Sequence, residues 1–437
     1  YYQQGIQTWS GEANFNQIFG NGLGSVMLLL PSYFDDGSGI RYDNINYLGL
    51  ADVNGDGIDD LLILFDWIYG DENYLVVGYG GNFDNSAPQG TNILDLRNIF
   101  SDSTNGFAQL MENGYSLEAA DFNNDGKADI VFENQNGGSL TIMFSTGNSF
   151  ADPITLSTAQ VDDDFGYDYL VGDFNGDGRM DLAVSAPNHD AISGVNTNEG
   201  AVFIYLGGLN GIDNIADVTI LGANDFQLAY FGILNLGDLN GDGYDDLGIT
   251  DTYGNSWILW GSAFLSGTYD LSISTSGLTR FNEDELDFYY ATPIGDINAD
   301  GYDDIALSYG DQTVIVYGQP NYLSEYTDLN LLNYLTITGT ANIDGILPLY
   351  DIDGDGKDEF AFAEYYNGSH YLGIWNGENN IAEEGGLSIH LNAYTFGVEE
   401  NLAGSIIGPI LNTDELGNYD LYIQRVTVDG EIGRAHV

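Results

Sequence analysis

Strand-length apolar runs punctuate the chain, among them Val26 to Leu30, Leu61 to Phe65, Leu182 to Val184 and Val218 to Leu221. Stretches rich in Gly, Asn and Asp separate them, as expected of turns between strands. The segment from Phe165 to Gly208 shows the pattern most fully. A short strand reaches Gly172, a polar loop follows, and Leu182 to Pro187 forms a second strand. After a long polar loop, Gly200 to Gly207 forms a third, and a variable stretch containing Val218 to Leu221 supplies a fourth. Four short strands are the content of one β-propeller blade.

The polar loop between the first two strands recurs six times. Positions 1, 3, 5, 7 and 9 of the first copy are Asp52, Asn54, Asp56, Ile58 and Asp60, with Gly57 at position 6. The second copy has Asp121, Asn123, Asp125, Lys127 and Asp129, and the third has Asp173, Asn175, Asp177, Arg179 and Asp181. The fourth has Asp238, Asn240, Asp242, Tyr244 and Asp246, and the fifth has Asp296, Asn298, Asp300, Tyr302 and Asp304. The sixth has Asp351, Asp353, Asp355, Lys357 and Glu359. An eroded seventh copy spans Asn412 to Asp420 and retains Asp414 and Asp420. Successive loops start 52 to 69 residues apart, a longer period than a WD40 blade but of the same kind.

Oxygen side chains at positions 1, 3, 5 and 9 converge on a hard cation only if the backbone curls tightly, and the position-6 glycine permits that curl. A position-7 carbonyl would complete the set, leaving that side chain free, and its identity does vary from Ile58 to Lys357. All-oxygen ligation without His or Cys predicts calcium, at about six sites. An EF-hand would need Glu at position 12 and a following helix. Here position 12 is Ile63, Phe132 or Val184, inside strand-like runs. Plain hairpin turns are the simpler alternative, but six copies with the same oxygen positions weigh against it. The extra acids at position 8, Asp59, Asp245, Asp303 and Asp358, read as solvated charge.

Composition narrows the partners. The 437 residues include 67 acids, 8 bases and no cysteine, for a formal charge of −59. Nucleic acid and anionic membrane surfaces would be repelled, and no apolar run approaches a membrane span, so neither binding nor insertion is expected. A chain beginning at Tyr1 reads as a mature form or fragment. Residues 431–437 resemble translated sequencing adapter, so 1–430 is taken as the propeller and the tail as an artefact.

Phe165-Gly166, Phe231-Gly232 and Ser185-Ala186-Pro187, together with the acidic loops, resemble the FG-GAP repeat of integrin α-subunit propellers. Equivalent positions have drifted at Tyr289-Tyr290 and Leu347-Pro348. The resemblance implies an all-β, seven-bladed propeller of four-stranded blades, with calcium on one face and a protein or carbohydrate ligand on the other. It places Trp67, Tyr69, Asn188, His189, Asp190, Tyr230, Tyr253, Tyr289 and Tyr290 on the ligand face. Packing between blades is the alternative for Tyr230, Tyr289 and Tyr290. Phe15 to Gly20 resembles a third strand and Leu421 to Val428 a second, so N-terminal strands would complete the last blade and close the ring, with an open or longer array as the alternative.

The expected function is a calcium-stabilised binding or adhesion module, secreted or at the cell surface, where millimolar calcium is available. A polysaccharide-active enzyme and a structural spacer are the alternatives. His189, His370, His390 and His436 show no triad or metal spacing, which weighs against catalysis, though a carboxylate pair facing across the channel would favour it.

Overall fold

The computed structural model describes residues 42–67, 72–80 and 104–320, the last with short gaps, plus residues 356–360 and strands outside these spans. The described residues contain strands and turns and no helix. Six sheets follow one another along the chain, each with four antiparallel strands and three of them extended by a parallel fifth. Blade one consists of Tyr42–Ala51, Asp60–Trp67, Glu72–Gly78 and Gly106–Glu112. Blade two consists of Gly114–Ala120, Asp129–Asn134, Leu140–Met143 and Ile154–Leu156. Blade three, the unit clearest in sequence, consists of Tyr169–Gly172, Asp181–Ala186, Ala201–Tyr205 and Val218–Leu221. Blades four, five and six begin with Ile233–Asn235, Ala291–Gly295 and Ile343–Tyr350.

The first strands of successive blades pack side by side from blade one to blade six, the arrangement of a propeller's inner wall. Blades two, three and four are covered on both faces, which explains why the second strand of such a blade reads as a continuous apolar run rather than an alternating one. Leu182 and Val184 join a core with Val131, Leu140 and Ile142 of blade two. The intervening Ala183 faces the other way, into a core with Ile233, Leu247 and Ile249 of blade four. Leu62, Leu64, Leu75 and Val77 of blade one meet Ile130 and Phe132 of blade two in the same manner.

Outer strands also join across blades. Val218–Leu221 pairs in parallel with Gly267–Asp270, which lies between the third and fourth strands of blade four. The fourth strands of blades four and five, Leu278–Phe281 and Tyr334–Thr338, gain Tyr326–Thr327 and Leu387–His390 in the same way. Near the N-terminus, Val26–Leu29 pairs in parallel with Asn92–Asp95, between the third and fourth strands of blade one, and antiparallel with Gln7–Trp9. Phe15 to Gly20 lies outside the described residues. The expected strand from Leu421 to Val428 is divided: Tyr419–Leu421 pairs with Leu411–Thr413, and Ile423–Val426 pairs with Ile432–Ala435 in the tail. Among the described residues, no pairing joins the N-terminal strands to these C-terminal hairpins.

Candidate functional site

Five of the six acidic loops are described in full; of the sixth, Asp351, Asp353 and Asp355 lie outside the described residues. Every loop joins the first strand of its blade to the second, so all lie at one end of the blades. The position-6 glycines, Gly57, Gly126, Gly178, Gly243, Gly301 and Gly356, share φ values from 80° to 89°, the left-handed region the tight curl requires. Side-chain oxygens hold the curl. Asp52 accepts N–H bonds from Gly55 at 2.7 Å, Asp56 at 3.1 Å and Gly57 at 2.7 Å. Asn54 Oδ1 accepts from Asp56 N–H at 2.8 Å, and Asp56 Oδ1 from Ile58 N–H at 2.9 Å. The links from the position-5, -6 and -7 N–H groups recur in the loops beginning at Asp121, Asp173 and Asp238.

Position 9 has a different environment. Asp60, Asp129, Asp181, Asp246 and Asp304 are fully buried. Each accepts an N–H bond from beyond the third strand of its own blade: Gly80 at 2.9 Å, Ser145 at 2.8 Å, Gly207 at 2.7 Å, Gly261 at 2.9 Å and Gly318 at 2.8 Å. Burial, reinforced by the position-1 and position-5 carboxylates, pushes Asp60, Asp129 and Asp181 up to about 7 and Asp246 up to about 8. Burial, then Asp300 and Asp296, raise Asp304 well above the usual range. In every described loop the position-9 carboxylate therefore feels the other two.

Among the described residues, no three acidic or histidine side chains close into a metal cage as they stand. The donor set nevertheless suits a hard cation: carboxylate and amide oxygens only, mutually repelling, with Asp181 Oδ2 buried and lacking a hydrogen-bond partner.

One expectation about the loops needs correction: Asp245, Asp303 and Asp358 are not simply solvated, since each accepts a backbone N–H bond from the preceding loop. The position-7 side chains, variable in type, also differ in what they touch. Lys127 and Arg179 pair with Asp125 at 3.1 Å and Asp177 at 2.8 Å, and the rings of Tyr244 and Tyr302 lie over Gly176 and Gly241 of the preceding loops. Position 2 was overlooked. Val53, Phe122, Phe174, Leu239 and Ile297 are all buried, and Asp60, Asp129, Asp246 and Asp304 bond to the N–H of this residue in their own loops. An apolar residue at position 2 of all six copies was the available signal.

At the other end of the first strands, about 13 Å away for four residues, the seam between blades three and four opens a cleft of about 300 Å³ lined by Tyr167, Asp168, Tyr230, Phe231 and Gly232. Tyr167 and Tyr230 stack at 5.8 Å with their rings 20° apart, and Phe231 meets Tyr230 edge-on at 5.5 Å. All three rings are exposed, in contrast to Phe165, which is buried against Phe203 at 5.7 Å. Tyr230 therefore both borders the seam and faces solvent; Tyr167 and Phe231 were not anticipated on this surface. Asp168 Oδ2 accepts the Ile233 N–H at 2.9 Å across the seam. Burial, then the Asp168 charge, pushes Glu118 on the inner strand of blade two up to about 7.

His189 has partners. It donates from Nδ1 to Asp163 at 3.1 Å, while Nε2 accepts from Gln160 at 3.0 Å, so both ring nitrogens are engaged. Asp190 bonds to Gln160, Asn188 bonds to Asp164 and Gln227, and Tyr253 is exposed. Tyr69, Tyr289 and Tyr290, and the side chains of Trp67, His370 and His390, lie outside the described residues.

Residues 165–205 match the FG-GAP repeat, and residues 121–184 match an FG-GAP-like repeat. The chain carries FG-GAP repeats. It is similar to integrin α subunits: 31% identical over 158 residues to Integrin alpha-6 of Gallus gallus, and 28% identical over 225 residues to Integrin alpha-5 of Xenopus laevis. These matches cover 35% and 47% of this chain but only 14% and 21% of the relatives. A solved structure of BBS1N in complex with ARL6DN aligns over 88% of this chain and 90% of that one, at 11% identity and a TM-score of 0.44. That score is too low to bear on the fold.

Proposed function

We propose that this FG-GAP propeller is a calcium-dependent binding or adhesion module whose ligand, a protein or a glycan, meets the face opposite the acidic loops. One observation carries the reading: the same short strands bear a repeated acidic loop at one end and an exposed aromatic cleft at the other. Tyrosine and phenylalanine rings offer large contact area at low entropic cost, as binding surfaces require. Calcium would be held by the carboxylates and amides at positions 1, 3, 5 and 9 of each loop. It would supply the positive charge that three crowded carboxylates lack. Affinities typical of extracellular modules, roughly 10⁻⁴–10⁻³ M, suit a secreted or cell-surface setting.

The ring would have seven blades. Val26–Leu29 stands to blade one as the fourth strands of blades three, four and five stand to the blades that follow them. Gln7–Trp9 and Val26–Leu29 would be the third and fourth strands of a last blade begun by Leu411–Thr413 and Tyr419–Leu421. The test is a screen of protein and glycan arrays with and without calcium. Calcium-dependent capture that Tyr167→Ala abolishes is expected; capture indifferent to both would refute the assignment.

A further inference from the structure

Neighbouring loops are fastened to one another from blade to blade. At every described seam the position-8 N–H of one loop donates to the position-1 carbonyl of the loop before it. Ala128 bonds to Asp52 at 2.7 Å, Met180 to Asp121 at 3.5 Å, Asp245 to Asp173 at 3.1 Å, Asp303 to Asp238 at 3.1 Å and Asp358 to Asp296 at 2.9 Å. At the last three seams the bond is returned. The position-1 N–H groups of Asp173, Asp238 and Asp296 donate to the carboxylates of Asp245, Asp303 and Asp358 at 2.9, 2.7 and 3.0 Å. These reciprocal brackets fix both backbone polar groups of the residue that opens loops three, four and five.

The sequence carries a matching steric signature. The residue just before the bracketed loop is Gly172, Gly237 or Gly295; a Cβ at Gly237 or Gly295 would run into the carboxylate of Asp303 or Asp358, and one at Gly172 would crowd Asn235, Phe174 and the Asp245 carboxylate. Where position 8 of the next loop is Ala128 or Met180, the equivalent residue is Ala51 or Ala120. Glycine and aspartate thus appear together at three seams and are absent together at two.

We propose that loops three, four and five fill with calcium as a coupled series, with Asp245, Asp303 and Asp358 as the positioning residues, and that loops one and two are coupled only weakly to their neighbours. This rests on the calcium reading above. Each bracket spans the opening residue of one loop and the residue beside position 9 of the next. Ordering either loop therefore lowers the entropy still to be lost by its partner, and the effect is reciprocal.

Hydrogen–deuterium exchange of the full chain across a calcium titration reads the midpoint of each loop separately. Asp303→Ala should raise the midpoint of loop four, residues 238–246, roughly threefold to tenfold. The shift should exceed that of loop five, where residue 303 sits, and leave loop one unchanged. Asp303→Asn keeps an oxygen acceptor and should restore most of the coupling. Asp245→Ala repeats the test on loop three, should either alanine variant fail to fold. Ala51→Gly combined with Ala128→Asp should install a bracket and lower the midpoint of loop one. An unmoved loop four in folded Asp303→Ala protein, or an equal shift in loop one, overturns the coupling while leaving calcium binding intact. Loops of the unaltered chain that gain no protection up to about 10 mM calcium would instead overturn the calcium reading, and the coupling with it.

Discussion

The two ends of the blades obey different rules. At the loop end, five described loops repeat one hydrogen-bond scheme nearly atom for atom, and even the seams between them repeat. At the other end blades three and four differ: Phe165 is buried in its blade, whereas Phe231, the same element one blade later, is exposed. The repeated end solves a problem every blade shares, turning from first strand to second beside a neighbour. The irregular end is free of that demand, and a selective surface can be built only where blades are allowed to differ.

Removing the cation should separate the ends most sharply. A tenfold excess of calcium over Kd stabilises each occupied site by about 1.4 kcal/mol, so stripping several loops should lower the melting temperature on the order of 10 °C. Calorimetry in calcium and in excess EDTA checks this, and superimposable melts would show that the loops stand without an ion.

Position 9 comes next. Asp246→Ala leaves the buried N–H groups of Leu239 and Gly261 without an acceptor, bonds of 3.1 and 2.9 Å in the intact chain. The cost should be about 2–5 kcal/mol, and it should persist in EDTA because these bonds do not involve the cation. Asp242→Ala, at an exposed position 5, should weaken calcium binding yet barely change the metal-free melt. Equal metal-free losses from the two variants would erase the distinction between the anchoring and the ion-facing parts of the loop.

Sequence made the loop end legible because its demands are local. The curl needs glycine at Gly57 and its counterparts whatever the rest of the chain does, and the acids follow at fixed offsets. Contacts between blades escaped because they join residues about sixty positions apart. Nothing near Asp303 in sequence shows that its carboxylate caps the N–H of Asp238, although the pairing of Gly237 with Asp303 was visible to anyone comparing adjacent copies. The aromatic cleft was half legible. Tyr230 stood out by type, but its stacking on Tyr167 depends on how two blades meet.

The inner wall between the two ends gives a pH test. Folding raises Glu118 to about 7, so between its ordinary value near 4.5 and about 7 the folded chain holds a proton that the unfolded chain has released. Its contribution to stability is therefore present at low pH and is lost as pH rises through that window. Glu118→Gln should stabilise the protein at pH 8 by about 1 kcal/mol, allowing for solvent screening, and change little at pH 4. A gain that is the same at both pH values would assign the effect to packing.

The smallest effect on stability should come from the cleft, and there a small number is informative. Tyr167 is 54% exposed and touches Tyr230 across a seam whose deeper core, including Ile233, Leu247 and Trp257, does not depend on it. Tyr167→Ala should therefore cost no more than about 0.5 kcal/mol in thermal or urea unfolding. On the proposed reading this exposed ring serves a partner, so binding should fall much further than stability does. If the variant instead unfolds as readily as one altered in the core, the stacked pair is a fastening between blades, and the search for the ligand surface moves to Tyr253 and the turn that carries it.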